Sequence, residues 1–293
     1  MNISAPTPDQ IQRPASQRFA SANYRENNVI LGRIGTLETR IATTKEEIGA
    51  AQEIRYRVFV EEMGAKLPFD AMLSKRDFDQ YDHQCDHLLV IDRAIIGSTV
   101  DQIVGTYRLM QQNTAEENNG FYSQNEYDVH GLVSRHPDKR FLELGRSCVL
   151  PKYRSRRSIE LLWQGIWAYC LQNNIDVMFG CASFHGTVPA AHAQSLSFLY
   201  HFARATDEWH IVPQTDKQDL IDLMPAEALK TKEALSDMPP LIKGYLRVGA
   251  LFSPHAFVDT SFNTTDVLII MPLSKISSRY INHYGADAER FNA

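Results

Sequence analysis

The sequence predicts an α/β (α+β) fold: one mixed central sheet, splayed at the strand over 141–150 and flanked by helices. Three observations carry this expectation. Apolar runs of strand length cluster at 87–92, 102–110 and 140–150. Segments with helical spacing lie before and after them, and strand then alternates with helix to the end of the chain. Finally, one of these strands opens the stretch "ELGRSCVLPKYRSRR", Glu143 to Arg157, where ionic groups interrupt an apolar run and a proline ends it.

The elements follow in order. Residues 1–33 are polar, rich in Ser, Ala, Asn and Pro, and carry no period, so they read as a mobile arm. Residues 34–293 read as a single domain with a C-terminal extension over about 206–293. "TLETRIA" (36–42) alternates like a strand. "TTKEEIGAAQEIRYRVFVEEM" opens on a Thr44–Glu47 capping box, and Ile48, Ala51, Ile54 and Val58 recur at helical spacing. The polar, aspartate-rich stretch from Gly64 to Asp86 reads as a long loop, a length that is often functional. "HLLVID", "QIVGTYRLM" and "RFLELGRSCVL" read as strands, with a hairpin turn at "IIGSTVD". After Pro151, Ile159, Leu162, Ile166 and Tyr169 mark one helical face. "DVMFGCAS" is a buried strand, "PAAHAQSLSFLYHFARA" a helix, and 226–235 a further helix. Residues 239–252 form a Pro-started basic amphipathic segment that fits a half-buried core helix better than one lying on an anionic bilayer. "DVLIIMPL" is a late strand and "SKISSRYINHYG" a closing helix.

Bulk properties narrow the function. The chain has 293 residues, 44% hydrophobic and 22% charged, with a net charge of −5. It is therefore not a nucleic-acid binder by composition, and any basic patch must be local. Four scattered cysteines form no CxxC pair, which fits a cytoplasmic protein without a disulfide framework. No signal peptide is visible at the N-terminus, and no apolar run approaches the about 18–20 residues that cross a bilayer. There is no phosphate-binding GxxxxGK[ST], no GxGxxG after a strand, no HExxH and no GxSxG. Cys85 and His87 lack companions at zinc spacing, so no metal is expected.

A set of charges remains. Arg55 and Phe59 are four apart in a helical segment. Asp79 and Asp82 sit in the long loop, Arg108 lies inside one strand, and Glu143 and Arg146 lie inside another. Charges in apolar strands cost several kcal/mol unless paired. The set is therefore either a structural ion-pair network or a pocket for an ionic substrate. Residues three apart on a strand face opposite ways, so a bulge, expected at Gly145, is needed to bring Glu143 and Arg146 together. Behind the strand, Lys152, Arg154, Arg156 and Arg157 crowd a helix start. The macrodipole disfavours cations there, which favours a bound phosphate over the alternative of simply solvated charges.

Strand, bulge, basic turn and helix resemble the acyl-donor site of the GNAT acyltransferase superfamily. The turn "RSRRS" departs from the superfamily's Gly-rich pattern. The RxxxF, DxxD, Arg and ExxR series is similar to that of autoinducer (acyl-homoserine-lactone) synthases. "LELGRSCVLPKYR", "ELLWQGIWAY", "DVMFGCAS", "MPPLIKGYLRVGA" and "TTDVLII" resemble bacterial L-ornithine Nα-acyltransferases from about residue 36 onward. The resemblance implies acyl transfer from the phosphopantetheine of acyl carrier protein to the α-amine of L-ornithine, with no permanently bound cofactor. On that reading the phosphopantetheine arm meets Cys148, Val149, Leu150, Arg154, Arg156, Arg157 and Ser158. Glu143 acts as base. Asp79 and Asp82 hold the cationic ends of the acceptor, and Arg108 or Arg146 pairs with its carboxylate. Arg55 and Phe59 support the acceptor pocket, and Tyr200 protonates the leaving thiol. Cys148 needs no nucleophilic role. An autoinducer-synthase activity using S-adenosylmethionine and a non-catalytic carrier-protein or lipid-binding module are the alternatives. The amphiphilic product raises the expectation of peripheral contact with an anionic membrane surface.

Overall fold

A computed structural model describes residues 29–214 and 218–276. Among the described residues nine strands form one sheet: β1 (Ile30–Ile34), β2 (Leu37–Ile41), β3 (Asp86–Asp92), β4 (Ile103–Gln111), β5 (Phe141–Val149), β6 (Val177–His185), β7 (Gln218–Leu220), β8 (Leu251–Asp259) and β9 (Thr264–Pro272). Their order across the sheet is β1-β2-β3-β4-β5-β6-β9-β8-β7. All neighbours are antiparallel except β5 and β6, which run parallel. A parallel pair needs a crossover, and the helix between these two strands supplies it.

The helices are α1 (Lys45–Arg55), α2 (Phe69–Ser74), α3 (Thr99–Gln102), α4 (Gln112–Glu116), α5 (Val129–Ser134), α6 (Arg156–Asn173), α7 (Ala193–Ala203), α8 (Thr231–Asp237) and α9 (Pro240–Val248). The Thr44 hydroxyl accepts the Glu47 N–H at the start of α1, as the capping pattern predicts. Ser155 caps α6, and Asn174 ends it in the left-handed conformation. Leu161, Ile166 and Trp167 of α6 pack into the larger core on one face of the sheet. Ala51 and Ile54 of α1 pack with Leu89, Ile91 and Ile103 on the other.

Four expectations change. The last residues of the arm predicted over 1–33 belong to β1, which pairs with β2 across a tight turn where Gly35 takes φ 63°; the rest of that segment lies outside the described residues. Five residues containing a glycine show no period alone, so only the partner strand reveals them. The hairpin turn predicted at "IIGSTVD" continues into the short helix α3, capped by Ser98. The helix predicted over 44–63 changes to a π-helix at Tyr56–Glu62, a form concentrated at functional sites. The segment 239–252 splits: Gly249, φ 90°, closes α9, and Leu251 begins β8. The β8 strand escaped prediction because Pro254 interrupts it. The register with β9 shifts between Phe252 and Ala256, a bulge that spares the missing N–H. Ile242, Tyr245 and Val248 of α9 are buried, so this helix faces the core. The closing helix expected at "SKISSRYINHYG" falls largely outside the described residues. Among the described residues no helix is long and apolar enough to cross a membrane.

Candidate active site

The site is built on the fault between β5 and β6. They pair only at Phe141–Glu143 with Val177–Phe179, after which β6 pairs along its length with β9. At the apex the backbones touch: a Cβ on Gly180 would lie 2.1 Å from the Leu144 carbonyl oxygen, so only glycine fits. Beyond it both strands line a cavity of about 680 Å³, β5 through residues Gly145 to Val149 and β6 through Cys181, Ala182, Ser183 and His185.

The strand is bulged, but one residue later than expected. Gly145 stays in register opposite Arg108, while Cys148 stands opposite Thr106, so β5 carries one extra residue. Arg146 takes φ 52° and is the bulged residue. A left-handed non-glycine costs about 1–3 kcal/mol and persists where its surroundings fix it. Here Arg146 is held by Asp77 and Asp79, each at 3.3 Å, and lies between the rings of Tyr122 (4.7 Å) and Phe262 (4.3 Å). Hydrogen-bonding demand on the side chain, not glycine's freedom, sets the bulge.

On one side of Arg146 lies a closed ionic cluster. Arg55 is fully buried and contacts Asp77 at 2.9 Å and Asp82 at 2.8 Å. Arg108 contacts Asp79 at 2.7 Å and Asp82 at 3.6 Å. Burial works to raise the Asp82 carboxyl, but Arg55 and Arg108 outweigh it and hold it well below the usual carboxylate range. Burial and Arg55 lower His87, whose Nε2 lies 2.9 Å from the Asp82 carbonyl. Three guanidinium groups thus meet three carboxylates. Asp79 and Asp82, expected to hold the acceptor's ammonium groups, are both paired with arginine; they line a separate cavity of about 470 Å³ rather than the one at the β5–β6 opening. Asp77 was not singled out from the sequence, although "RDFDQYD" contains it.

Glu143 lines the cavity. Its carboxylate accepts from the Tyr122 N–H (2.8 Å), the Ser123 N–H (2.7 Å) and the Ser123 hydroxyl (2.5 Å), tying the turn Tyr122–Asn125 to the sheet. Burial raises its pKa against the pull of those bonds. Arg108, Arg146 and Phe59 also line the cavity, Phe59 edge-on to Phe262 at 5.9 Å. Arg55 does not reach it and acts as a brace beneath.

On the other side of Arg146 the sequence reading missed a second group. Glu126 follows the 122–125 turn, Asp259 ends β8 and Asp266 lies in β9; all three line the cavity. Their carboxylate oxygens come within 4.8 Å of one another, close enough to hold a cation. Burial and Asp266 push the Glu126 carboxyl up to about 8. Burial likewise raises Asp266. The Cys181 thiol donates to Glu126 Oε2 at 3.1 Å. No local motif joins residues 126, 259 and 266; only the β8–β9 turn and the sheet bring them together.

The donor-side expectations divide. Arg154 lines the cavity and makes a two-armed contact with Glu62, one arm at 2.6 Å. Cys148 and Val149 line it as well, and burial pushes the Cys148 thiol up to about 12, where it is no nucleophile. The rest of the set does not line the cavity. Leu150 turns its N–H to the Val104 carbonyl at 2.9 Å, toward β4. Arg156 is exposed and pairs with Glu160, and Arg157 is exposed too. Ser158 spends its hydroxyl on the Tyr153 carbonyl at 2.5 Å. Tyr200 lies on α7 under the Arg204 guanidinium, 4.6 Å from the ring centre, and does not line the cavity either. Helical spacing could not distinguish its face from one opening on the gap.

A family model for the acetyltransferase (GNAT) domain matches residues 54–164. The chain is 59% identical over 272 residues to an L-ornithine N(alpha)-acyltransferase of Agrobacterium fabrum, covering 93% of each. It is 40% identical over 247 residues to one of Rhodobacter capsulatus, covering 84% of this chain and 94% of that one. Among solved structures, FeeM, an N-acyl amino acid synthase from uncultured soil microbes, aligns with 81% of this chain and 91% of its own at 11% identity and a TM-score of 0.47.

Proposed function

The chain belongs to the L-ornithine N(alpha)-acyltransferase family and is an acyltransferase with a GNAT domain, and on that footing we propose that it transfers an acyl chain, a 3-hydroxyacyl chain in the first instance, from acyl carrier protein to the α-amine of L-ornithine. The observation that carries the reading is the opening between β5 and β6, which exposes unpaired strand edge directly into an ionic cavity.

The phosphopantetheine arm enters this gap as an added strand, and Arg154 and the basic turn around it attract the phosphate and the acidic carrier. The acyl chain runs along the apolar wall formed by Tyr107, Ile159, Leu162 and Leu241. A backbone N–H of the bulged stretch 146–148 stabilises the oxyanion that develops on the thioester carbonyl. The acceptor's α-amine attacks that carbon. The C–N bond forms, the C–S bond breaks, and the amine proton passes to Glu143, directly or through water, and then to the departing thiolate. Arg146, held by Asp77 through Nε and by Asp79 through Nη2, meets the acceptor carboxylate with its remaining N–H groups. The product is an amphiphile, so brief contact with an anionic membrane surface belongs to the same reading.

Incubation of the protein with 3-hydroxyacyl carrier protein and either L-ornithine or S-adenosylmethionine, read by mass spectrometry, tests it. The expected product is the Nα-acylated ornithine. Acyl-homoserine lactone, or no acyl transfer to either acceptor, overturns it. Glu143→Gln is expected to lower kcat by about 10²–10⁴-fold while carrier-protein binding persists.

A further inference from the structure

We propose that Glu126, Asp259 and Asp266 form the subsite for the acceptor's side-chain ammonium, and so select a diamino acid over a neutral one. This rests on the reading of the cavity as the acceptor site and assigns residues to a part of the substrate that the chemistry at the α-amine does not explain.

Three carboxylates converge here with their oxygens within 4.8 Å of one another. Among the described residues none of the three makes an ion pair. The guanidinium whose field reaches Glu126 and Asp266 is that of Arg146, which is already engaged by Asp77 and Asp79. The other titratable groups in contact with their field, among them Cys181, Tyr122, Tyr127 and the carboxylates themselves, are neutral or negative. Crowded buried carboxylates without a cation carry a cost that an incoming cation removes.

A second observation, independent of the crowding, points to a ligand. Asp266 is 5% exposed, yet its Oδ1 has no hydrogen-bond partner, and the residue lines the cavity. Ser183 and Thr264 temper the rise of the Asp266 carboxyl without satisfying Oδ1. An ammonium with three N–H donors suits such an acceptor; a neutral side chain leaves it unsatisfied. Asp259, more exposed, is pre-oriented by the N–H groups of Ser261 (2.7 Å) and Phe262 (3.0 Å).

The spacing fits. From Glu143 to Glu126 the wall runs through the Ser123 hydroxyl and the Cys181 thiol, by contacts of 2.5, 3.6 and 3.1 Å. A diamino acid with three methylenes between its α-carbon and its distal amine, hydrogen-bonded at both nitrogens, bridges carboxylates up to roughly 11 Å apart. An acceptor with its α-amine at Glu143 therefore reaches the acidic group with its distal amine.

The test compares L-ornithine with L-norvaline, which has the same carbon chain and lacks the distal amine, in wild-type protein, Asp259→Asn and Asp266→Asn. Turnover is read with acyl carrier protein as donor, and acceptor binding by calorimetry without donor. Wild type is expected to bind ornithine with release of protons, seen as a buffer-dependent heat, and to prefer it to norvaline. Each variant is expected to raise KM for ornithine about tenfold or more and to shrink the ornithine-to-norvaline ratio by a similar factor. Equal losses with both acceptors, or a wild type that binds both alike, overturn the proposal. Loss of ornithine binding on chelation, with recovery on adding magnesium or calcium, also overturns it and assigns the carboxylates to a metal. Ornithine binding that depends on Asp259 without any acyl transfer supports the subsite while refuting the reaction. Melting curves of the variants identify any that fail to fold, and the partly exposed Asp259 supplies the answer if Asp266→Asn does.

Discussion

Arg146 stands between two ionic groups that obey opposite rules. On one side three arginines meet three aspartates, every charge has a partner, and none of the carboxylates lines the cavity at the β5–β6 opening. On the other side three carboxylates share a cavity wall, and among the described residues none of them makes an ion pair. The balanced group has the composition of a brace. It fixes the loop after α2 and holds Arg146 in its bulged conformation, which in turn shapes the opening between β5 and β6. The unbalanced group has the composition of a receptor. The lesson is that buried charge by itself does not mark a binding site, whereas buried charge without its counterion does.

The comparison can be broken most forcefully at Arg55. Replacing this fully buried guanidinium by alanine strands Asp77 and Asp82, and is expected to cost about 3–5 kcal/mol in a denaturant titration. A loss under 1 kcal/mol would show that the balanced group is no brace. The opposite group sharpens the contrast through pH. The Glu126 carboxyl is raised in the folded chain, so it is protonated there while the unfolded chain has already released that proton. Its contribution to stability is therefore complete below the ordinary glutamate range and is lost as pH rises through about 8. Asp82 is depressed, so its contribution is complete above the ordinary aspartate range and is lost only in strong acid. Glu126→Gln is accordingly expected to raise the melting temperature by a few degrees at pH 8–9 and to do little at pH 5, and saturating ornithine is expected to flatten the same slope in the wild type. A pH-independent effect would deny the cluster its special state.

Smaller effects test the boundary. Arg146→Lys keeps the charge but loses the planar contacts with Tyr122 and Phe262, and is expected to cost about 1 kcal/mol in stability with a rise in acceptor KM. Arg154→Ala, which lies apart from both groups, is expected to raise KM for the carrier-protein donor only about 5–10-fold and to weaken its salt dependence, leaving acceptor KM unmoved.

Much of this was legible because it is local. The strands over 87–92, 102–110 and 140–150 announce themselves by apolar runs, α6 by its 3.6-residue face, and the bulge by a parity conflict between Glu143 and Arg146. Local pattern also drew attention to Arg55, Asp79, Asp82 and Arg108, but it could not say that they satisfy one another, because pairing is decided by packing. Glu126, Asp259 and Asp266 were invisible for the converse reason. The first sits in an irregular loop, the second ends a strand disguised by Pro254, and the third looks like an ordinary strand-start residue in "TTDVLII". Tyr200, Arg156 and Arg157 show the limit from another direction: each is the residue type the resemblance calls for, and none of them lines the cavity.

The central contrast is tested most directly by carboxyl-carbon NMR of protein labelled at Asp and Glu, titrated with L-ornithine at neutral pH. The account predicts that the Glu126, Asp259 and Asp266 signals move, with Glu126 shifting toward the ionised position, while Asp77, Asp79 and Asp82 stay where they are. Movement of the Asp79 and Asp82 signals with a silent Glu126 would contradict it, and would return the acceptor's cationic end to the arginine-paired cluster.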